Sequence, residues 1–189
     1  MTTYLFRLYF LTPYGFRIGV KVEGENTLYA LSYGEAFIIP ATSWKGMFRR
    51  VSEMISSNTK SMEELYGFMD SEGKSKAGLV TFSDSVIKNA KVYTRPHVSI
   101  DRKKKTSLER SLFNEEIVYT DKVEVKAIVR GEHELWKNTL LFLRDVGYFI
   151  GQGKSRGIGY IKLDEEESVY AKAEIGKKAE FNPLKEFLK

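Results

Sequence analysis

Cysteine is absent from the 189 residues, which excludes disulfides, thiolate zinc sites and cysteine nucleophiles. Histidine is nearly absent. His97 and His133 stand 36 positions apart, too few and too separated for a His-rich metal centre. No run of 18 uncharged apolar residues occurs, so no membrane-spanning helix is expected. The first dozen residues hold a short apolar alternation with one Arg and lack a small-residue cleavage site, the pattern of a strand rather than a leader. No Ser-His-Asp spacing and no GxSxG elbow is present. What remains is 42% hydrophobic and 29% charged, the balance expected of one soluble, intracellular (cytoplasmic) domain.

The net charge of +5 is modest, but its placement is uneven. Between Lys88 and Lys105 lie Lys88, Lys91, Arg95, Arg102, Lys103, Lys104 and Lys105 against the single acid Asp101. Residues 151–162 carry Lys154, Arg156 and Lys162 and no acid, after which Asp164–Glu167 reverses the sign. Clustered cations attract polyanions and release counterions as they neutralise phosphates. A solvated charged face is the plainer reading of any one such run.

Periodicity predicts a strand at 3–11, with Tyr4, Phe6, Leu8 and Phe10 on one face, and a short strand at 17–22. The stretch 23–40 has no clear period and is expected to be a long functional loop. A helix over about 43–57 follows from Trp44, Met47, Phe48, Val51, Met54 and Ile55, with Thr42 or Ser43 as its N-cap. A helical turn at 61–66, a polar loop at 70–77, a strand at 78–84 and an extended 93–101 come next. Residues 102–110 form a charged excursion, and strand character resumes over 116–130. A second, largely buried helix is expected from about 132 to 146, and a strand at 160–163. The order strand, helix, strand, strand, helix, strand is an α+β, ferredoxin-like (RRM-like) βαββαβ plan with insertions.

Two segments carry chemistry. In Ile39–Arg50 a helix N-terminus, an anion-favouring end, lies beside Lys45, Arg49 and Arg50. Gly46 falls opposite the apolar stripe, where glycine costs about 1 kcal/mol relative to Ala and permits close approach of another backbone. Gly151–Gly159 has four glycines in nine residues, interleaved with Lys154, Ser155 and Arg156, a composition suited to approaching phosphates. Its spacing is neither a Walker loop nor a dinucleotide fingerprint. Tyr29, Tyr33 and Phe37 are candidates for base stacking. Catalytic constellations are poor. His97 and Asp101 would stand about 13 Å apart along a strand. His133 reads as a surface or capping residue, and Asp70, Asp84 and Asp101 are scattered.

Four ordered motifs point to a family. Ile39-Pro40-Ala41-Thr42-Ser43-Trp44-Lys45-Gly46-Met47-Phe48-Arg49 resembles the I-P-G-S-S-x-K-G-x-x-R motif of the RAMP (repeat-associated mysterious protein) superfamily. Leu65-Tyr66-Gly67 with residues 78–84 is similar to its L-F-G … G-x-x-x-F-x-D stretch. Residues 98–102 and 111–116 resemble V-x-I-D-R … x-L-F-x-x-E, and 151–159 resembles its glycine-rich loop.

The resemblance implies a subunit that binds the backbone of a guide RNA, opposite a complementary target RNA, among other RAMP subunits of a type III CRISPR effector complex in antiviral defence. It implies a single 1–189 RAMP domain: a palm, an inserted β-hairpin thumb near 95–116, and a C-terminal extension over 165–189. Its RNA contacts map onto Ser43, Lys45, Gly46, Arg49, Arg50, Gly151, Gly153, Lys154, Ser155 and Arg156. The thumb cations map onto Arg102, Lys103, Lys104 and Lys105. Target-cleaving members carry a catalytic Asp before the first motif, where this chain has only Glu35, and Ala41 replaces the usual Gly. The expectation is therefore a binding subunit without cofactor. An Mg²⁺-dependent target nuclease using Glu35, and a guide-processing ribonuclease using His97 or tyrosines, are the alternatives.

Overall fold

A computed structural model describes residues 2–21, 25–69, 72–101, 103–107 and 112–189. In chain order the strands and helices are β1 (Thr3–Leu11), β2 (Gly19–Lys21), β3 (Thr27–Ala30), β4 (Ser32–Tyr33), β5 (Ala36–Ile39), α1 (Ala41–Ile55), α2 (Thr59–Tyr66), β6 (Gly67–Met69) and β7 (Ser75–Ala77). Then follow β8 (Val80–Phe82), β9 (Ser85–Ile87), β10 (Lys91–His97), β11 (Phe113–Tyr119), β12 (Lys122–Arg130) and α3 (Glu134–Asp145). The chain ends with β13 (Tyr148–Phe149), β14 (Tyr160–Ala173), β15 (Asn182–Pro183) and α4 (Leu184–Leu188).

The period-2 pattern of β1 makes it the centre of an antiparallel sheet ordered β13-β14-β1-β12-β8, with β15 beside β14. Tyr4, Phe6, Leu8 and Phe10 share their buried face with Val123, Val125, Ala127 and Val129 of β12. Against this face α1 lays Trp44, Met47, Phe48 and Val51, and α3 lays Leu135, Trp136, Leu140 and Leu143. The two helices meet where Phe48 stacks on Trp136 at 5.1 Å. A buried hydroxyl chain also ties them, with Ser52 Oγ 2.8 Å from Tyr66 OH and 2.7 Å from Thr139 Oγ1. The architecture is α+β with largely antiparallel sheets, as the sequence implies.

Several expectations change. The stretch 23–40 is not one loop but holds β3, β4 and β5: β3 runs parallel to β11 at Thr27↔Asn114, β5 is antiparallel to β9 at Phe37↔Ile87, and β4 pairs locally with β5. The single strand expected over 116–130 is two, β11 and β12, and within the polar loop β7 pairs with β6. α3 buries one face rather than most of its surface. β14 runs on past residue 163 with a register shift opposite Arg7/Tyr9, beyond which 169–173 pairs with β1 in the central sheet. Beyond it, α4 inserts Leu184 and Leu188 into the core. Asp70, Arg102 and Arg110 lie outside the described residues.

A second sheet, β10-β11-β3-β2, carries the β10–β11 hairpin. In its long connection Asp101 Oδ1 accepts the backbone N–H of Lys103 and Lys104, and Lys105 adopts a positive φ of 55°. The exposed cations Lys103–Lys105 thus sit on a tight turn.

Candidate nucleic-acid interface

The N-terminus of α1 is capped from a distance. Pro40 is the N-cap and its ring offers no acceptor, whereas Asp84, between β8 and β9, accepts the Ala41 N–H at 2.7 Å. The expected caps Thr42 and Ser43 are thus replaced by a tertiary contact, and one carboxylate already occupies the anion-favouring end of the helix. Trp44 Nε1 donates to Ser85 Oγ at 2.9 Å, so the same turn also fixes the rotation of the helix.

That rotation turns Ser43 and Gly46 into a cleft of about 330 Å³ shared with Ile18, Phe149, Gly151 and Lys154. The two sequence segments singled out for phosphate chemistry therefore face each other across one groove. A Cβ on Gly46 would meet nothing within 4 Å, so the chain's own packing does not require glycine there. Lys154 Nζ lies 5.5 Å from the centre of the Tyr148 ring, which holds the ammonium beside the groove. Arg50 is held by Glu53 and Tyr148, and burial counts little at this exposed guanidinium, whose pKa these hydrogen bonds raise. On the adjoining helix face Lys45 is exposed, and Arg49 pairs with Glu53 at 3.3 Å. Because the position is open, Gly46→Ala should stabilise the free protein by up to about 1 kcal/mol yet weaken RNA binding. Thermal unfolding and RNA titration of one preparation would check the opposite signs. A stabilised variant that binds RNA normally would mean nothing approaches Gly46.

The glycine-rich loop answers first to packing. Gly151, at φ +76°, would drive a Cβ into the carbonyl oxygen of Arg17, and Gly159, at φ +86°, into that of Ile150. The close approach is used: Gln152 N–H donates to Arg17 O at 2.8 Å and Gly159 N–H to Gly15 O at 2.9 Å. Between Gly153 and Gly157, Lys154, Ser155 and Arg156 make one exposed 3₁₀ turn.

Arg156, 42% exposed, also reaches a carboxylate beneath the loop. Its Nη2 lies 2.9 Å from Glu115 Oε1, which Arg17 Nη1 also reaches at 2.9 Å. His97 Nε2 stands 2.9 Å from the other carboxylate oxygen, with its ring stacked on Phe113. Glu115 is fully buried and Arg17 is 4% exposed. Burial pushes the Glu115 carboxyl up, but Arg156 and Arg17 outweigh it and hold the group below the ordinary carboxylate range. One buried carboxylate thus joins the β10–β11 hairpin, the segment after β1 and the glycine-rich loop. His97 has this partner in place of Asp101, which shapes its own turn.

Other candidates lie elsewhere. Glu35 is exposed at the β4–β5 turn beside Gly34. Tyr33 is 83% exposed, Tyr29 bonds Glu25, and Phe37 packs against the core instead of standing free for a base. His133 lies 3.9 Å from Glu64. Among the described residues no three His, Asp or Glu side chains gather as metal ligands. Among them, too, no helix is long and apolar enough to cross a membrane. Sequence reasoning missed Arg17, Tyr148 and Phe149. Glu115 stood in a motif, but only the structure makes it the hub.

A family model described as the RAMP superfamily matches residues 7–162. No curated protein matches the chain in sequence. Among solved structures, the chain resembles one from the type III-B Cmr-beta cryo-EM structure of the apo state, with TM-score 0.65 and 13% identity over 85% of this chain and 96% of that one. A chain from the type III-B Cmr-beta bound to cognate target RNA gives TM-score 0.63 and 13% identity over 84% and 96%. At such identity the likeness is one of fold.

Proposed function

This chain belongs to the RAMP superfamily, and from that premise we propose that it binds the backbone of a guide RNA as a structural subunit of a type III CRISPR effector complex. The observation that carries the reading is the groove where Gly46 of α1 faces Gly151 and Lys154 of the glycine-rich loop. A sugar-phosphate chain is a strand of closely spaced anions, and it needs this combination of an uncrowded helix face and a cation beside it. Such contacts position a strand without reading its bases. Specificity would then come from pairing between guide and target. In this reading the β14-β1-β12-β8 sheet with α1 and α3 is a ferredoxin-like palm, and the β10–β11 hairpin with Lys103–Lys105 is the thumb. Likeness to chains from Cmr-beta, one of them bound to cognate target RNA, supports assembly with other subunits. Purification of the native complex and sequencing of its RNA tests this: guide-length RNAs sharing a repeat-derived 5′ tag are expected. A random RNA population would contradict it.

Within that complex this subunit contributes binding and no cut. Glu35 is the one acid between Thr27 and Ile39, and it stands exposed on a hairpin turn. With labelled complementary RNA and Mg²⁺, Glu35→Ala should leave every cleavage product in place. Loss of one product with target binding intact would make the subunit a nuclease.

A further inference from the structure

A second cleft, of about 540 Å³, opens at the end of the central sheet where β1, β12 and β14 meet. Leu11 and Pro13 give it an apolar lining, Tyr119 and Tyr160 add aromatic rings, and Lys91 and Lys162 supply charge. The Tyr160 ring cannot turn freely, because its hydroxyl donates to the Val146 carbonyl at 2.7 Å. Phe149 also meets it edge-on at 5.5 Å, and Tyr14 lies 6.1 Å from it. Tyr119 is backed by Tyr93, in a T-shaped contact at 5.3 Å. Among the described residues, neither Lys91 nor Lys162 has a carboxylate within ion-pair distance, although Lys122 nearby is held by Asp164 and Glu167. Asp121, also lining the cleft, repels a phosphate from its own vicinity and leaves the lysines as the anion's partners.

The cleft also continues the groove described above. Phe149 lines the Gly46–Lys154 groove, Tyr160 lines the second cleft, and the two rings are in contact. The Phe149–Tyr160 ring pair is thus the border between the two clefts. We infer that the cleft between Tyr119 and Tyr160 receives one unpaired nucleobase of the bound RNA strand, stacked on Tyr160, with an adjacent phosphate on Lys91 and Lys162. An aromatic ring beside cations is the arrangement by which single strands are held without sequence preference. The inference rests on the reading of the chain as an RNA-binding subunit, and adds to it a base site where that reading has only phosphate contacts.

The test compares a short single-stranded RNA with an abasic strand of equal length and charge. The intact chain should bind the base-bearing strand roughly tenfold more tightly, within the range set by stacking of one base. Tyr160→Leu, which keeps apolar volume and removes the ring, should abolish that preference and leave abasic affinity unchanged. Tyr160→Phe, which keeps the ring, should preserve it. Lys91→Gln should weaken both strands alike. If Tyr160→Leu leaves the preference intact, or weakens both strands equally while remaining folded by circular dichroism, the base site is wrong. A free nucleoside monophosphate that quenches tyrosine fluorescence in the intact chain, with no base preference in the strands, would make the cleft a mononucleotide pocket and overturn the proposal. Failure of the intact chain to bind either strand would instead overturn the RNA-binding reading itself.

Discussion

Replacing Glu115 with alanine should lower the unfolding free energy by about 3–5 kcal/mol, the usual effect of leaving one member of a buried ion pair alone. Arg17 is almost fully buried, so without Glu115 its guanidinium loses the carboxylate that compensates its desolvation. Replacing both Arg17 and Glu115 by apolar residues should cost much less than Glu115→Ala, because no charge is then stranded. Urea unfolding of the wild type and both variants at neutral pH checks this. A loss below about 1 kcal/mol for Glu115→Ala would mean that water reaches Arg17 and that the cluster does not hold the hairpin to the loop. The pH dependence has a definite sign. Arg156 and Arg17 hold the folded-state pKa of Glu115 below its unfolded value despite the opposing effect of burial, so its stabilisation is complete above the unfolded value. It fades as pH falls through the lower folded value, and Glu115→Ala should remove that part of the acid sensitivity.

The double variant Lys45→Ala, Lys154→Ala should bind single-stranded RNA roughly a hundredfold more weakly than wild type. Each lysine is expected to make one charge-assisted contact to a phosphate, worth about 1.5 kcal/mol, and the two together correspond to about two decades of affinity. The plot of log affinity against log salt should also flatten, by about 0.7 for each phosphate released from a single strand. Lys154 stands beside the Tyr148 ring, and Lys45 is exposed on α1, so neither truncation opens a core cavity. Titration of both proteins at several salt concentrations reads the two effects together. A large loss with an unchanged slope would point to damage of the fold rather than lost phosphate contacts.

The legible parts of this chain are those whose signal is local. β1 and α1 announce themselves because Tyr4, Phe6, Leu8 and Phe10 alternate, and because Trp44, Met47, Phe48 and Val51 follow a helical stripe. β3 and β5 have four residues each, without alternation, and pair with partners far along the chain, such as Asn114 and Ile87. The cap of α1 escaped for the same reason, since Asp84 lies 43 residues from the N–H that it binds. Within the site, Gly46, Gly151 and Lys154 were recognisable by residue type and converge in the structure. Arg156 was equally recognisable as a cation, but nothing local in the sequence shows that it also reaches the buried Glu115 carboxylate, 41 residues away. Two of the loop's glycines were read as room for a phosphate, whereas contacts with the Arg17 and Ile150 carbonyls require them.

Backbone binding is tested most directly by titrating the wild-type chain with two single-stranded RNAs of equal length and unrelated sequence over a range of salt. Both should bind with similar affinity, and log affinity should fall linearly with log salt at one common slope. Binding to only one of the two, or binding that salt does not weaken, would contradict a subunit that grips the phosphates and leaves the bases to be read by pairing.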